Sequence, residues 1–167
     1  MTDPAAPGPS EEALLEVIWA QFRDAMFITP EEWRRITGIM TLHLTLDTYL
    51  FTILGLKLAA PMSDFAAFDR VNKYLGNLGF AARVDLAEAL GWIGTEAAGN
   101  ARAVNTVRNK LVHHRRGNRA KDAPEIATDE AFRAFVQRGL QAYTAMIQIV
   151  APHFATAGPA PGGSPDS

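Results

Sequence analysis

The 167-residue chain has no cysteine, which excludes disulfide bonds and thiolate metal sites. A reducing compartment fits that absence, and a cytoplasmic location is the expectation. Net charge is small as well. Sixteen Lys and Arg stand against 18 Asp and Glu, a formal charge of −2, so this is not a generally basic protein of the kind that coats nucleic acid. Met1 to Ser10 has neither a basic region nor an apolar run, so it does not read as a signal peptide. No uninterrupted apolar stretch approaches a membrane span, and the best region is broken by His43, Asp47 and Lys57. No membrane association is expected. What remains is 48% hydrophobic and 20% charged, a balance that suits one globular domain large enough for a real core.

Both ends are rich in Pro, Gly, Ala and Ser, and the composition predicts disordered tails over residues 1–10 and 156–167. Between them, residues 11–155 read as a single all-α domain of about five to six helices, because every long segment has helical period and none shows sustained strand alternation. Ser10 caps a first helix, roughly Glu11 to Ile28. Thr29, Pro30 and Glu32 fill the N-cap, N1 and N3 positions of a second, which runs to about Ala60 before Pro61. Ser63 or Asp64 opens a third through Tyr74, and Ala81 to Leu90 is a fourth. Thr95 caps a fifth that reaches about His114, with Gly117-Asn118 as a stop. Thr128 starts a last helix ending near Phe154.

The second of these helices is apolar nearly all round and should be central. Trp33, Ile36, Met40, Leu44, Phe51, Leu54 and Leu58 form one stripe, and Ile39, Leu42, Leu46, Leu50 and Ile53 an adjoining flank. A narrow threonine face lies opposite, open to cover by another helix or a second copy. Asp47 falls in the stripe with His43 one turn before it. A buried carboxylate is costly unless paired or protonated. Two readings follow: a local His43–Asp47 pair, or an acidic group supporting an active site. These two residues are too few to make a metal site, so no metal or cofactor is expected.

The strongest chemical signal is Val107-Arg-Asn-Lys-Leu-Val-His-His-Arg-Arg116. Between Arg102 and Lys121 there are seven basic residues and no acidic one, while the remainder carries nine Lys and Arg against eighteen Asp and Glu. That segment is a candidate local anion site. As a plain alternative, cations also favour a helix C-terminus. On the helical wheel, Val104, Val107 and Leu111 face the core. Arg102, Asn105, Asn109, His113 and Arg116 lie on the other side, and Arg108 lies between. Asn109 and His113 stack on one face. Arg108 and His113 are about 140° apart by helix geometry, so they meet only around a shared ligand such as a phosphate.

Arg108, Asn109 and His113 match the hallmark of the HEPN superfamily: Arg, often followed by a polar residue, then four to six residues, then His. Leu78-Gly-Phe-Ala-Ala-Arg-Val-Asp-Leu-Ala-Glu-Ala-Leu-Gly-Trp-Ile93, followed by the helix entering Val104 to His113, resembles the mannitol-operon-repressor-like branch and its uncharacterised relatives. The likeness spans residues 30 to 117. It implies a HEPN-like helical bundle and a metal-independent endoribonuclease whose active site forms between two copies in a homodimer. His113 would serve as general base or acid, Arg108 would hold the phosphate, and Asn109 would orient one of these groups. His114 and Asp47 are candidate supporting residues. Arg102, Lys110, Arg115 and Arg116 are candidate RNA-binding residues. Single-stranded RNA is the natural substrate, because a 2′-hydroxyl nucleophile needs conformational freedom.

An antitoxin or regulatory protein is an expected partner. Arg115 occupies the position, two after the His, where toxins paired with a nucleotidyltransferase antitoxin carry a modified Tyr, which argues against control by that route. Two other readings stand beside the enzyme. One is a non-catalytic, mannitol-repressor-like regulator that binds RNA, nucleotide or a partner protein. The other is a helical dimer in which Arg108 makes a salt bridge and His113 caps the helix.

Overall fold

The computed structural model describes residues 29–59, 64–113 and 123–155, with scattered positions between 10 and 20. Both expected tails apart from Ser10, most of the first expected helix and the Gly117-Asn118 stop lie outside the described residues. At the described positions of that first segment, Glu12, Ala13, Glu16, Val17 and Ala20 are helical. The Ala13 amide donates to the Ser10 hydroxyl at 3.3 Å, as a cap should.

Five helices follow: α1 (Pro30–Ala59), α2 (Phe65–Asn77), α3 (Phe80–Ala89), α4 (Thr95–His113) and α5 (Asp129–Ala155), with a 3₁₀ turn at Pro124–Ile126 before the last. No strand occurs among the described residues, and the protein is an all-α bundle. Local chemistry sets the helix starts. Glu32 N–H donates to the Thr29 hydroxyl at 3.2 Å, Ala66 N–H to the Asp64 carboxylate at 2.9 Å, and Ala131 N–H to the Thr128 hydroxyl at 3.1 Å. α4 departs from expectation. Thr95 is already helical and Gly94 precedes the helix, its carbonyl accepting from Ala98 N–H at 3.0 Å. Beyond the last residue of α3 and its cap Leu90, Gly91 has a φ of 68°, a left-handed conformation that glycine adopts without Cβ strain.

α1, α4 and α5 form the centre, each packing on the other two, while α2 lies on α1 and α3 bridges α1 and α4. At the three-helix crossing, a Cβ on Gly139 of α5 would fall 2.3 Å from Leu42 Cδ2 and 3.2 Å from Val104 Cγ2. Absence of a side chain there is what lets α5 approach both partners. Arg35 staples the turn before α5 to α1, donating to Asp129 at 2.9 Å and to the carbonyls of Ile126 and Ala127.

The inward arc of α1 takes the whole flank and only part of the stripe, Ile36 and Leu54. Ile39, Leu46, Leu50 and Ile53 are fully buried, whereas Leu44 is 66% exposed. In a helix apolar nearly all round, the positions of α4 and α5 choose the buried arc. The threonine face lies at the surface, its hydroxyls satisfied locally. Thr45, Thr48 and Thr52 each donate to the carbonyl four residues back at 2.9 Å. By length and composition alone, Pro30–Leu58 is long and apolar enough to cross a membrane. Central core helices fit the same description, and this one places His43 and Asp47 in polar contacts with neighbouring helices.

Candidate functional site

α4 carries the site because its sequence divides by face. Val104, Val107 and Leu111 are buried, as their spacing requires. Asn105, Arg108 and Asn109, at i, i+3 and i+4, share an adjoining side and are half-buried. Arg108 Nη1 donates to Asn109 Oδ1 at 3.0 Å. That bond holds the guanidinium along the helix and uses the amide's oxygen, leaving its NH₂ group. Asn109 thus orients Arg108 directly. No ion pair engages Arg108 among the described residues.

Across from it on α1, His43 Nε2 lies 3.1 Å from Asn105 Oδ1, and the ring packs against Phe80 of α3 with centroids 4.4 Å apart. Burial lowers the His43 pKa below its ordinary value, and the nearby Arg108 guanidinium lowers it further. The Asn105 hydrogen bond and the Asp47 charge oppose both. The result favours neutral imidazole near pH 7 with Nε2–H donating to Asn105.

The expected His43–Asp47 pair does not form. Asp47 instead accepts from Arg83 Nη1 of α3 at 2.5 Å, and Arg83 also donates to the Leu75 carbonyl at 3.1 Å and lies over the Phe51 ring. Arg83 is 11% and Asp47 28% exposed at the side chain. Asp47 is therefore one end of a strut joining α1, α2 and α3. Helical spacing brought His43 and Asp47 within reach of each other, but α3 supplied Asp47 with a permanent cation, and His43 turned to the Asn105 amide of α4.

The other basic residues of α4 have different surroundings. Arg102 donates to Asp85 through Nε at 3.0 Å and Nη2 at 2.6 Å, and also to Glu88. The Glu88 and then the Asp85 hydrogen bonds raise its pKa. Lys110 donates to Glu125 at 3.4 Å. The apparent +7 of this segment is thus partly neutralised by residues from elsewhere in the chain. His113 is the last residue of α4; its side chain, and all of His114, Arg115 and Arg116, lie outside the described residues.

His43 is the site residue that sequence reasoning missed. Its spacing to Asp47 pointed to a local pair, and only the α1–α4 packing turns it toward Asn105 and Arg108. Asn105 was legible as a polar position on the wheel but had no partner to give it a role. Among the described residues, no three His, Asp or Glu side chains cluster as a metal site would require. With both amide oxygens occupied, Asn105 and Asn109 keep their NH₂ groups and Arg108 its remaining N–H groups as donors on one side of α4, which suits an oxyanion. No family model matches the chain, and neither a curated protein nor a solved structure was found that resembles it significantly.

Proposed function

We propose that the protein is a HEPN-type, metal-independent endoribonuclease that acts as a homodimer on single-stranded RNA. The observation that carries the reading is the state of Arg108. It is half-buried, oriented by Asn109 and without an ion pair among the described residues, whereas Arg102 and Lys110 on the same helix are matched by carboxylates. A guanidinium drawn part-way out of water without a counter-charge is well placed to take an anion. A phosphodiester is such an anion, and Arg presents it with paired planar donors.

In this reading the ribose 2′-oxygen attacks phosphorus and the bond to the 5′-oxygen breaks. One imidazole takes the 2′-hydroxyl proton, and another acid gives a proton to the leaving 5′-oxygen. Arg108 stabilises the charge that develops on the phosphoryl oxygens. His113, from the end of the same helix, supplies proton transfer, and a second copy brings its own Arg108 and His113. The biological setting is a toxin or defence component of the cytoplasm, restrained by a protein partner.

The test is cleavage of unstructured RNA by purified protein in EDTA, with light scattering on the same sample. Wild type is expected to cut as a dimer, and His113→Ala and Arg108→Ala to be inert while remaining folded. Wild-type protein that binds RNA without cutting it would favour the non-catalytic regulator. A monomer would remove the shared cleft.

A further inference from the structure

α2 and α5 both pack on α1, and each touches it far more than they touch one another. The gap left between them, over Phe51 to Leu56, is a cavity of about 500 Å³. We propose that this cavity is a binding site for a small, neutral, largely aromatic molecule that carries one hydrogen-bonding group. The inference does not rest on the ribonuclease reading. The cavity shares no residue with the Arg108 segment, and its readout needs neither RNA nor a dimer.

A glycine inside α1 marks the floor. In a helix interior, glycine is less favourable than alanine by about 1 kcal/mol. At two other helix positions packing requires it. A Cβ on Gly38 would fall 2.8 Å from the Phe132 ring, and one on Gly139 would fall 2.3 Å from Leu42. At Gly55 a Cβ would meet Asn72 Oδ1 at 3.8 Å, an ordinary contact, and nothing closer from the neighbouring helices. Packing therefore does not call for glycine at this position. What the missing side chain does is leave the cavity open between α1 and α2.

The walls decide the ligand. Phe51 and Leu56 of α1 and Phe68 of α2 supply apolar surface. Thr52 adds a methyl group, since its hydroxyl donates to the Thr48 carbonyl at 2.9 Å. Arg83, the cation over the Phe51 ring, is held by Asp47 and the Leu75 carbonyl. No Asp, Glu, Lys or Arg lines the cavity, so a charged ligand would lose hydration there without gaining a counter-charge. His153 of α5 stands at the exposed rim. Asn72 is the exception inside. It is half-buried, its side-chain oxygen lies toward Gly55, and no hydrogen bond engages it among the described residues. An amide drawn part-way out of water without a partner is unfavourable. One N–H, hydroxyl or carbonyl on an aromatic frame answers both the amide and the phenyl walls. The volume lies within the usual range of small-molecule sites, about 300–1,000 Å³.

The test is a fluorescence titration with phenyl-naphthylamine, a neutral aromatic amine that brightens on leaving water. Wild type is expected to bind it saturably, with one molecule per chain. Gly55→Leu places a side chain in the cavity. It is expected to weaken binding by about tenfold or more, with a thermal midpoint at or above that of wild type. Asn72→Ala should weaken binding by about tenfold or less, the scale of one neutral hydrogen bond. Leu44→Ala, at an exposed apolar residue outside the cavity, should leave it unchanged. The same probe carrying a sulfonate should bind more weakly than the neutral one.

Absence of saturable binding overturns the inference, as does a Gly55→Leu protein that binds like wild type. Should that variant fail to fold, Asn72→Met fills the same space from α2, and binding that survives it overturns the inference. Tighter binding of the sulfonate overturns the neutral ligand class. Binding that appears only when the protein is diluted to monomers overturns the site in favour of an interface between copies. RNA cleavage, present or absent, leaves each of these outcomes as it stands.

Discussion

Arg102 and Arg108 stand six residues apart on α4, and their surroundings are opposite. Arg102 reaches α3 and is clamped by Asp85 and Glu88. Arg108 donates to the neighbouring Asn109 amide, lies near enough to His43 of α1 to lower its pKa, and has no carboxylate partner among the described residues. In sequence both are simply members of one basic run. The difference teaches that a local charge excess is not yet a binding surface. The carboxylates that matter come from elsewhere in the chain, and they decide which cation is still available to a ligand. Lys110, drawn to Glu125, belongs with Arg102.

The sharpest way to test that division is to remove Arg108. Arg108→Ala is expected to lower RNA cleavage by about 10²-fold or more, the effect of deleting one preorganised oxyanion donor, while the thermal midpoint stays at or above that of wild type. A large loss of stability in this variant would mean that Arg108 is a structural residue like Arg102. Next in size is the Asp47–Arg83 strut. Asp47→Asn keeps the shape but leaves Arg83 short of its counter-charge in a mostly buried position, so urea unfolding should show a loss of about 2 kcal/mol. Unchanged stability there would reopen a role for Asp47 at the candidate site.

Gly139→Ala probes the crossing that sets the α4 face. The added methyl group forces Leu42 and Val104 to move, and a loss of about 1–3 kcal/mol is expected by the same measurement. Arg102→Ala should cost no more than about 1 kcal/mol, because its ion pairs are open to solvent and screening. Addition of salt should shrink that difference further.

The smallest expected effect is a pH dependence. His43 has a pKa below its unfolded value because of burial and Arg108. In the window between the folded and the unfolded pKa, the unfolded chain binds the extra proton, so stability rises with pH there. That contribution is fully present above the unfolded value and is lost as pH falls through the folded one. His43→Gln should flatten this part of the stability profile, and Arg108→Ala should move the His43 titration upward. An NMR titration that places His43 above an ordinary histidine would contradict both the burial and the proximity of Arg108.

Much of the fold was legible. Thr29, Asp64 and Thr128 mark helix starts because capping is a local reaction between a side chain and the next turn's amides. The inward positions Val104, Val107 and Leu111 follow from helical period alone. The start of α4 was read one residue late, since Thr95 and Gly94 both suit a helix entrance. On α1 the period gave an ambiguous answer. Leu44 and Leu46 are chemically the same residue, and only the seats of α4 and α5 bury one and expose the other. At the site, Arg108 and Asn109 were visible as a pair because they are neighbours in sequence. His43 was not, because its partner lies 62 residues away.

Sequence alone determined the helices, their caps and the basic character of the segment ending in His113, since these depend on interactions within a turn or two of backbone. Tertiary structure alone decided which charges survive. It sent Asp85 and Glu88 to Arg102, Glu125 to Lys110, Arg83 to Asp47 and His43 to Asn105, and it left Arg108 without an ion pair among the described residues. The physical reason is range: capping and periodicity act over a few ångströms along one helix, whereas neutralisation depends on which side chains packing brings within hydrogen-bond distance from other helices.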